Sequence, residues 1–193
     1  MRIRFAAEFG GARLVYLAAR TRNDTESSGW QTADVITLPG AIPTPGPRVD
    51  PMSPSVYLSS TSQQLTFNVA DANGSATNLQ TVWGLIGSSI DAGNACVFAY
   101  YVPGNLITLY PDSGIPTGAL VPFREGESLE NSRCRLEPMV AEGGSSGLRL
   151  QVRVRAKPAF AGSKAIWGAA STLQNAVSPW TPLGAWQIQA PLN

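Results

Sequence analysis

An internal duplication narrows the possible folds of this chain more than any other feature. The segment FAAEFGGARLVYLAAR begins at Phe5, and AKPAFAGSKAIWGAAS begins at Ala156. Aligned, Arg2-Ile3-Arg4 faces Arg153-Val154-Arg155, Phe9 faces Phe160, Gly11 faces Gly162, Tyr16 faces Trp167, and Ala18-Ala19 faces Ala169-Ala170. Thr21 then faces Thr172 and, past a one-residue gap, Trp30 faces Trp180. Aromatic, glycine and arginine positions kept in order over about thirty residues mark an internal repeat. The expected organisation is a partial repeat at 1–38 formed by the closing strands of one module, a Pro-rich linker at 39–54, and a complete module at 55–193. An export signal, on this reading, lies outside the sequence.

A length of 193 residues suits one domain plus a fraction. With 19 glycines, 15 prolines and only 14% charged residues, many turns between short strands are expected rather than long charged helices. A net charge of +1 offers no concentrated basic face for nucleic acid or an anionic membrane. No apolar run reaches the length of a membrane helix, and the N-terminus lacks the apolar stretch of a signal peptide. Histidine is absent, which removes Ser-His-Asp, Cys-His and His-ligated metal chemistry. Two cysteines alone cannot complete a zinc site. No enzyme activity and no cofactor are expected.

The strands announce themselves by period two. Leu148, Leu150, Val152 and Val154 alternate with Arg149, Gln151, Arg153 and Arg155, one face apolar and the other wet. Leu65 to Val69 alternates likewise and stops at Asp71-Ala72-Asn73-Gly74, a turn sequence. Ala95 to Val102 and Leu106 to Tyr110 flank Pro103-Gly104-Asn105 as a hairpin. Further strands are expected at 55–59, 81–86, 119–123, 133–136, 165–170 and 185–188. Such a set predicts an antiparallel sandwich. Residues 5–20 could be helical on composition, but Gly10-Gly11 opposes that, each glycine costing roughly 0.5 to 1 kcal/mol relative to alanine. Prolines at 39, 43, 45, 47, 51 and 54 predict a semi-rigid spacer.

Several motifs carry a resemblance. Asn94-Ala95-Cys96 is followed by Ala99-Tyr100, Leu109-Tyr110, Asn131-Ser132-Arg133-Cys134, Phe160-Ala161-Gly162, Trp180, and Leu183-Gly184-Ala185-Trp186. In this order the pieces resemble the tandem immunoglobulin-like repeats of large secreted or surface proteins of bacteria. Pro179 departs from the pattern's glycine, which Gly29 keeps in the first copy, and Ile36 stands where the second copy has Trp186. The resemblance implies an immunoglobulin-like β-sandwich with a structural or adhesive role at the cell surface or outside the cell. It also implies a disulfide between Cys96 and Cys134; two free thiols are the alternative in a reducing compartment.

The remaining candidate residues each have an ordinary explanation beside a functional one. Asp71 and Asn73, with Asp91 or Asp112, have the oxygens of a calcium loop but lack EF-hand spacing, and turn chemistry alone accounts for them. Trp83 and Tyr101 could stack on sugars, although most aromatics in such a sandwich must fill its core. Arg149, Arg153 and Arg155, echoed by Arg2 and Arg4, could meet an acidic polysaccharide or simply solvate a strand face. Leu14, Tyr16 and Trp30 would lie on strands able to pair with another copy, giving head-to-tail filaments. The expected partners are therefore neighbouring modules or copies of the chain, or a polysaccharide.

Overall fold

In the computed structural model, residues 2–40, 46–58 and 60–190 are described. They contain β1 (Gly11–Leu17), β2 (Gln31–Leu38), β3 (Arg48–Val49), β4 (Val56–Tyr57), β5 (Ser62–Ala70), β6 (Leu79–Gly87), β7 (Cys96–Tyr101), β8 (Leu106–Leu109), β9 (Val121–Pro122), β10 (Leu129–Glu130), β11 (Cys134–Gly144), β12 (Gly147–Ala156), β13 (Gly162–Thr172) and β14 (Thr181–Ile188). Among the described residues the only helical turns are two short 3-10 segments, Ala7–Phe9 and Pro158–Phe160. No helix there is long and apolar enough to cross a membrane.

Two sheets make an all-β sandwich. One runs β10-β11-β12-β5-β3 and the other β4-β14-β13-β6-β7-β8-β9. The alternation of β12 sends Leu148, Leu150, Val152 and Val154 inward, where they meet Leu65, Phe67 and Val69 of β5 and Phe98, Ile107, Ile166, Leu183 and Trp186 of the facing sheet in one apolar cluster. Gly84 belongs to this close packing. A Cβ there would lie 2.4 Å from the Phe98 ring and 2.9 Å from Phe67, the two rings that meet edge to face at 5.3 Å. Only hydrogen fits between them.

Two expectations need correction. The strands are not all antiparallel: β4 runs parallel to β14 at the sheet edge, with Ala185 beside Val56, so this sheet is mixed. Residues 5–20 hold a 3-10 turn at Ala7–Phe9 and the strand β1, as the glycine pair opposing a longer helix led one to expect. The Pro-rich stretch is not a spacer throughout. Arg48–Val49 pairs with β5, Asp50 N–H donates to the Asn68 carbonyl at 2.9 Å, and Val49 and Met52 are buried in the core. Proline forbids a sheet interior, but Val49 needs only a two-residue edge pairing to bury its side chain. Residues 41–45 of the stretch, and Ser59 of the expected 55–59 strand, lie outside the described residues.

Candidate functional site

The segment at 11–38 forms its own two-stranded sheet, β1-β2, outside both sheets of the sandwich. Its pairing copies that of β13-β14. Gly11↔Leu38 corresponds to Gly162↔Ile188, Arg13↔Ile36 to Lys164↔Trp186, Leu14↔Val35 to Ala165↔Ala185, and Leu17↔Gln31 to Gly168↔Thr181. Each hairpin carries a register shift at the matched place, Val15/Tyr16 in one and Ile166/Trp167 in the other.

Side chains and turns follow suit. Gly11 and Gly162 both take positive φ, 96° and 100°, leaving a 3-10 turn that ends at Phe9 or Phe160. The Arg13 guanidinium sits 4.9 Å from the centre of the Phe9 ring, and the Lys164 ammonium 5.0 Å from that of Phe160. At the far end Ser28 Oγ accepts the Ala19 N–H at 2.8 Å, as Ser178 Oγ accepts that of Ala170 at 2.9 Å. Asp24 and Asn175 hold the two loops in left-handed conformations. Similar sequence thus produces the same hairpin in two surroundings.

The hairpin lies against its own module. Leu14 packs on the outer-face cluster of Leu85, Ala95, Val97, Ala165 and Trp167, and Val35 and Thr32 are buried. The Thr32 carbonyl accepts from Ser163 Oγ and Gln187 Nε2, both at 2.8 Å, and Ser55 Oγ bonds Asp34 Oδ1 at 2.9 Å. Of the residues expected to reach another copy, Leu14 is therefore engaged in cis, while Tyr16 and Trp30 are exposed, Trp30 by 77%. Thr32, Val35, Ser163 and Gln187 were not singled out by sequence. The parity of Leu14 and Val35 in β1-β2 was the available signal.

Cys96 and Cys134 form a disulfide between β7 and β11, fully buried. Beside it Asn131 uses its whole side chain. Its Nδ2 donates to the Ala95 and Tyr110 carbonyls at 3.1 and 3.0 Å, and its Oδ1 accepts the Arg133 and Cys134 N–H groups at 2.8 and 2.9 Å. The Asn-Ser-x-Cys motif is thus a structural latch. Asn131→Ala strands buried carbonyls and amides and is expected to cost about 2 to 3 kcal/mol, measurable by urea unfolding; a loss under about 0.5 kcal/mol would refute the latch.

The other candidates are placed as follows. Asp71 is buried and its Oδ1 accepts the N–H groups of Asn73 and Ser75 at 2.8 and 2.9 Å, which commits the carboxylate to the turn. Among the described residues no three acidic or thiol side chains converge as a metal site. Trp83 and Tyr101 lie half-buried on the outer face of the mixed sheet, in neighbouring rows, with Trp83 opposite Ala99 and Tyr101 opposite Thr81. Arg149 pairs with Glu142 at 3.6 Å, and Arg153 and Arg155 share Glu137 at 3.6 and 3.0 Å with Arg135 at 3.3 Å, so each arginine of the stripe has an acidic neighbour although cations outnumber acids there. A cleft of about 550 Å³ at one end of the five-stranded sheet holds Arg48, Asp50, Glu142 and Arg149, again paired acid to base.

Lys164 is the unusual charge. It is 7% exposed, points beneath the core-facing side of β13, and donates to the Ala161 carbonyl at 3.0 Å. Burial, assisted by the nearby Arg133 charge, pushes its pKa below the ordinary 10.5. Between that lowered value and 10.5 the unfolded chain binds more protons than the folded one, so stability rises with pH across this window. Tyr57 and Tyr100, raised by burial above 10.0, act in the opposite sense only above that pH. Urea unfolding from pH 7 to 10 is expected to show the rise, and Lys164→Met to flatten it; an equal slope in both proteins would refute the assignment.

Neither the family models scanned nor the curated proteins searched include a match to this chain.

Proposed function

We propose that the chain is a non-enzymatic structural or adhesive module of an extracellular, repeat-containing surface protein. On this reading it is an immunoglobulin-like sandwich carrying beside it the closing hairpin of a second such module. The observation that carries the reading is the matched register of β1-β2 and β13-β14, down to the shifted residue and the cation above the phenylalanine. Evolutionary duplication of one module explains a hairpin that keeps its pairing while lying outside any sandwich core. The buried disulfide is compatible with an oxidising compartment.

A second reading, strand donation into head-to-tail filaments, draws support from the exposed Tyr16 and Trp30, but Leu14 and Val35 packed on their own module count against it. A third, glycan binding, draws on the shared face of Trp83 and Tyr101. Sedimentation and negative-stain microscopy over rising concentration, with tryptophan fluorescence titrated against a polysaccharide panel, separate the three. Single particles of 20.4 kDa and a flat titration are expected. Filaments lengthening with concentration would replace the first reading by the second, and a saturable fluorescence change would replace it by the third.

A further inference from the structure

The hairpin β1-β2 has two faces, and its copy shows what each is for. In β13-β14 one face bears Lys164, Ile166, Trp186 and Ile188, all buried, the three apolar ones in the sandwich core with Phe160 and the lysine over the Phe160 ring. The matched residues of β1-β2 are Arg13, Val15, Ile36 and Leu38 above Phe9. None of them is buried. Phe160 is 3% exposed and Phe9 46%, with Phe5 stacked on it at 5.5 Å; Ile3, two residues earlier in the chain, is also exposed. Contiguous aromatic and aliphatic surface of this kind marks an interaction site.

We propose that this face is a docking surface for the five-stranded half of a second sandwich of the same type, joined ahead of Arg2 in one polypeptide. The proposal rests on reading 1–38 as a closing hairpin. In the module, the equivalent face is covered by Leu65 and Phe67 of β5, Leu136 of β11 and Leu150 and Val152 of β12. The edge of β13 away from β14 is taken by β6, with Ile166 opposite Ile86. Among the described residues the matched edge of β1 has no partner strand. Arg2-Ile3-Arg4 aligns with Arg153-Val154-Arg155, the end of β12, so the chain arriving at the hairpin has the sequence of a strand leaving a five-stranded sheet. That correspondence places the partner in the same polypeptide.

The other face of the hairpin fixes how the two sandwiches meet. Leu14 packs on the cluster that contains Ala165, its own counterpart, and the two hairpins touch through β1·β14 and β2·β13, so like face meets like face. A contact between equivalent faces is closed at two members, because each face is used up by the other. The sandwiches form a back-to-back pair rather than an endless stack through this contact.

The test adds residues 46–152 ahead of Arg2 of the full chain, so that Val152 precedes Arg2 as it precedes Arg153. Amide exchange at Val15 and Ile36 is expected to slow by roughly 100-fold or more relative to the 193-residue chain. Ile36→Asp should undo the slowing in the extended chain, yet lower the unfolding midpoint of the 193-residue chain only slightly. Adding the complete segment 46–190 instead, which brings its own closing hairpin, should produce no slowing. Unchanged exchange with residues 46–152 added overturns the docking whether that segment folds elsewhere or stays unfolded. Slowing with 46–190 as well would overturn it by showing unspecific contact. Either failure, with the 193-residue chain still a single cooperative particle, leaves the structural-module reading standing.

Discussion

Replacing both cysteines, by Cys96→Ala with Cys134→Ala, is expected to lower the unfolding free energy by about 4 kcal/mol. The bridge joins β7 of the mixed sheet to β11 of the other across 38 positions. In the chain-entropy account, a loop of that length left open gives the unfolded ensemble a freedom it otherwise lacks. The sulfurs are also packed among Phe98, Leu136 and Val154 in the central cluster, so alanine leaves space there as well. Since a domain of this kind holds roughly 5 to 15 kcal/mol in all, the variant should be at the edge of folding at 37 °C. Guanidinium unfolding of the oxidised, reduced and double-alanine proteins measures this. Reduced and double-alanine proteins should agree within about 1 kcal/mol. A loss below about 1 kcal/mol in either would show that the sheets hold together without the tie.

Trp186→Ala is expected to cost about 3 to 5 kcal/mol, whereas Ile36→Ala, at the matched position of the first hairpin, should cost about 1 kcal/mol or less. Trp186 is fully buried in the central cluster and its Nε1–H donates to the Ser60 carbonyl at 3.0 Å. Truncation removes a large apolar body and leaves that carbonyl without its donor. Ile36 is half-buried on a face that no other sheet covers among the described residues. The two substitutions therefore measure burial with the backbone position held constant. Parallel urea titrations give both numbers, and similar costs would mean that the hairpin's second face is already packed. In the extended chain described above, the cost of Ile36→Ala should grow toward that of a core position.

Much of the fold was legible because strand periodicity is a local property. The alternation in 148–155 identified β12 and its buried face, and Asp71-Ala72-Asn73-Gly74 marked the end of β5, where the buried Asp71 caps the turn. The hairpin around Pro103-Gly104-Asn105 is present, with residues 102–105 joining β7 to β8. Edge strands were poorly legible. Arg48–Val49 sits among prolines and pairs for two residues only, so neither composition nor period distinguishes it from a tether. The parallel β4 is likewise too short to carry a direction in its sequence.

Two similar patterns met different fates. Sequence alone determined that 11–38 and 162–188 make the same hairpin, since glycine positions, turn residues and the order of aromatic side chains act over a few residues and repeat wherever they recur. Only the tertiary structure decided which faces are buried. Phe9 and Phe160 share a local conformation, but one ring is half in water and the other in the core. Burial depends on what arrives from distant parts of the chain: β5, β11 and β12 for the second hairpin, and the outer surface around Ala165 and Trp167 for the first. Period two says that a strand has two faces; contact with another sheet says which one is dry.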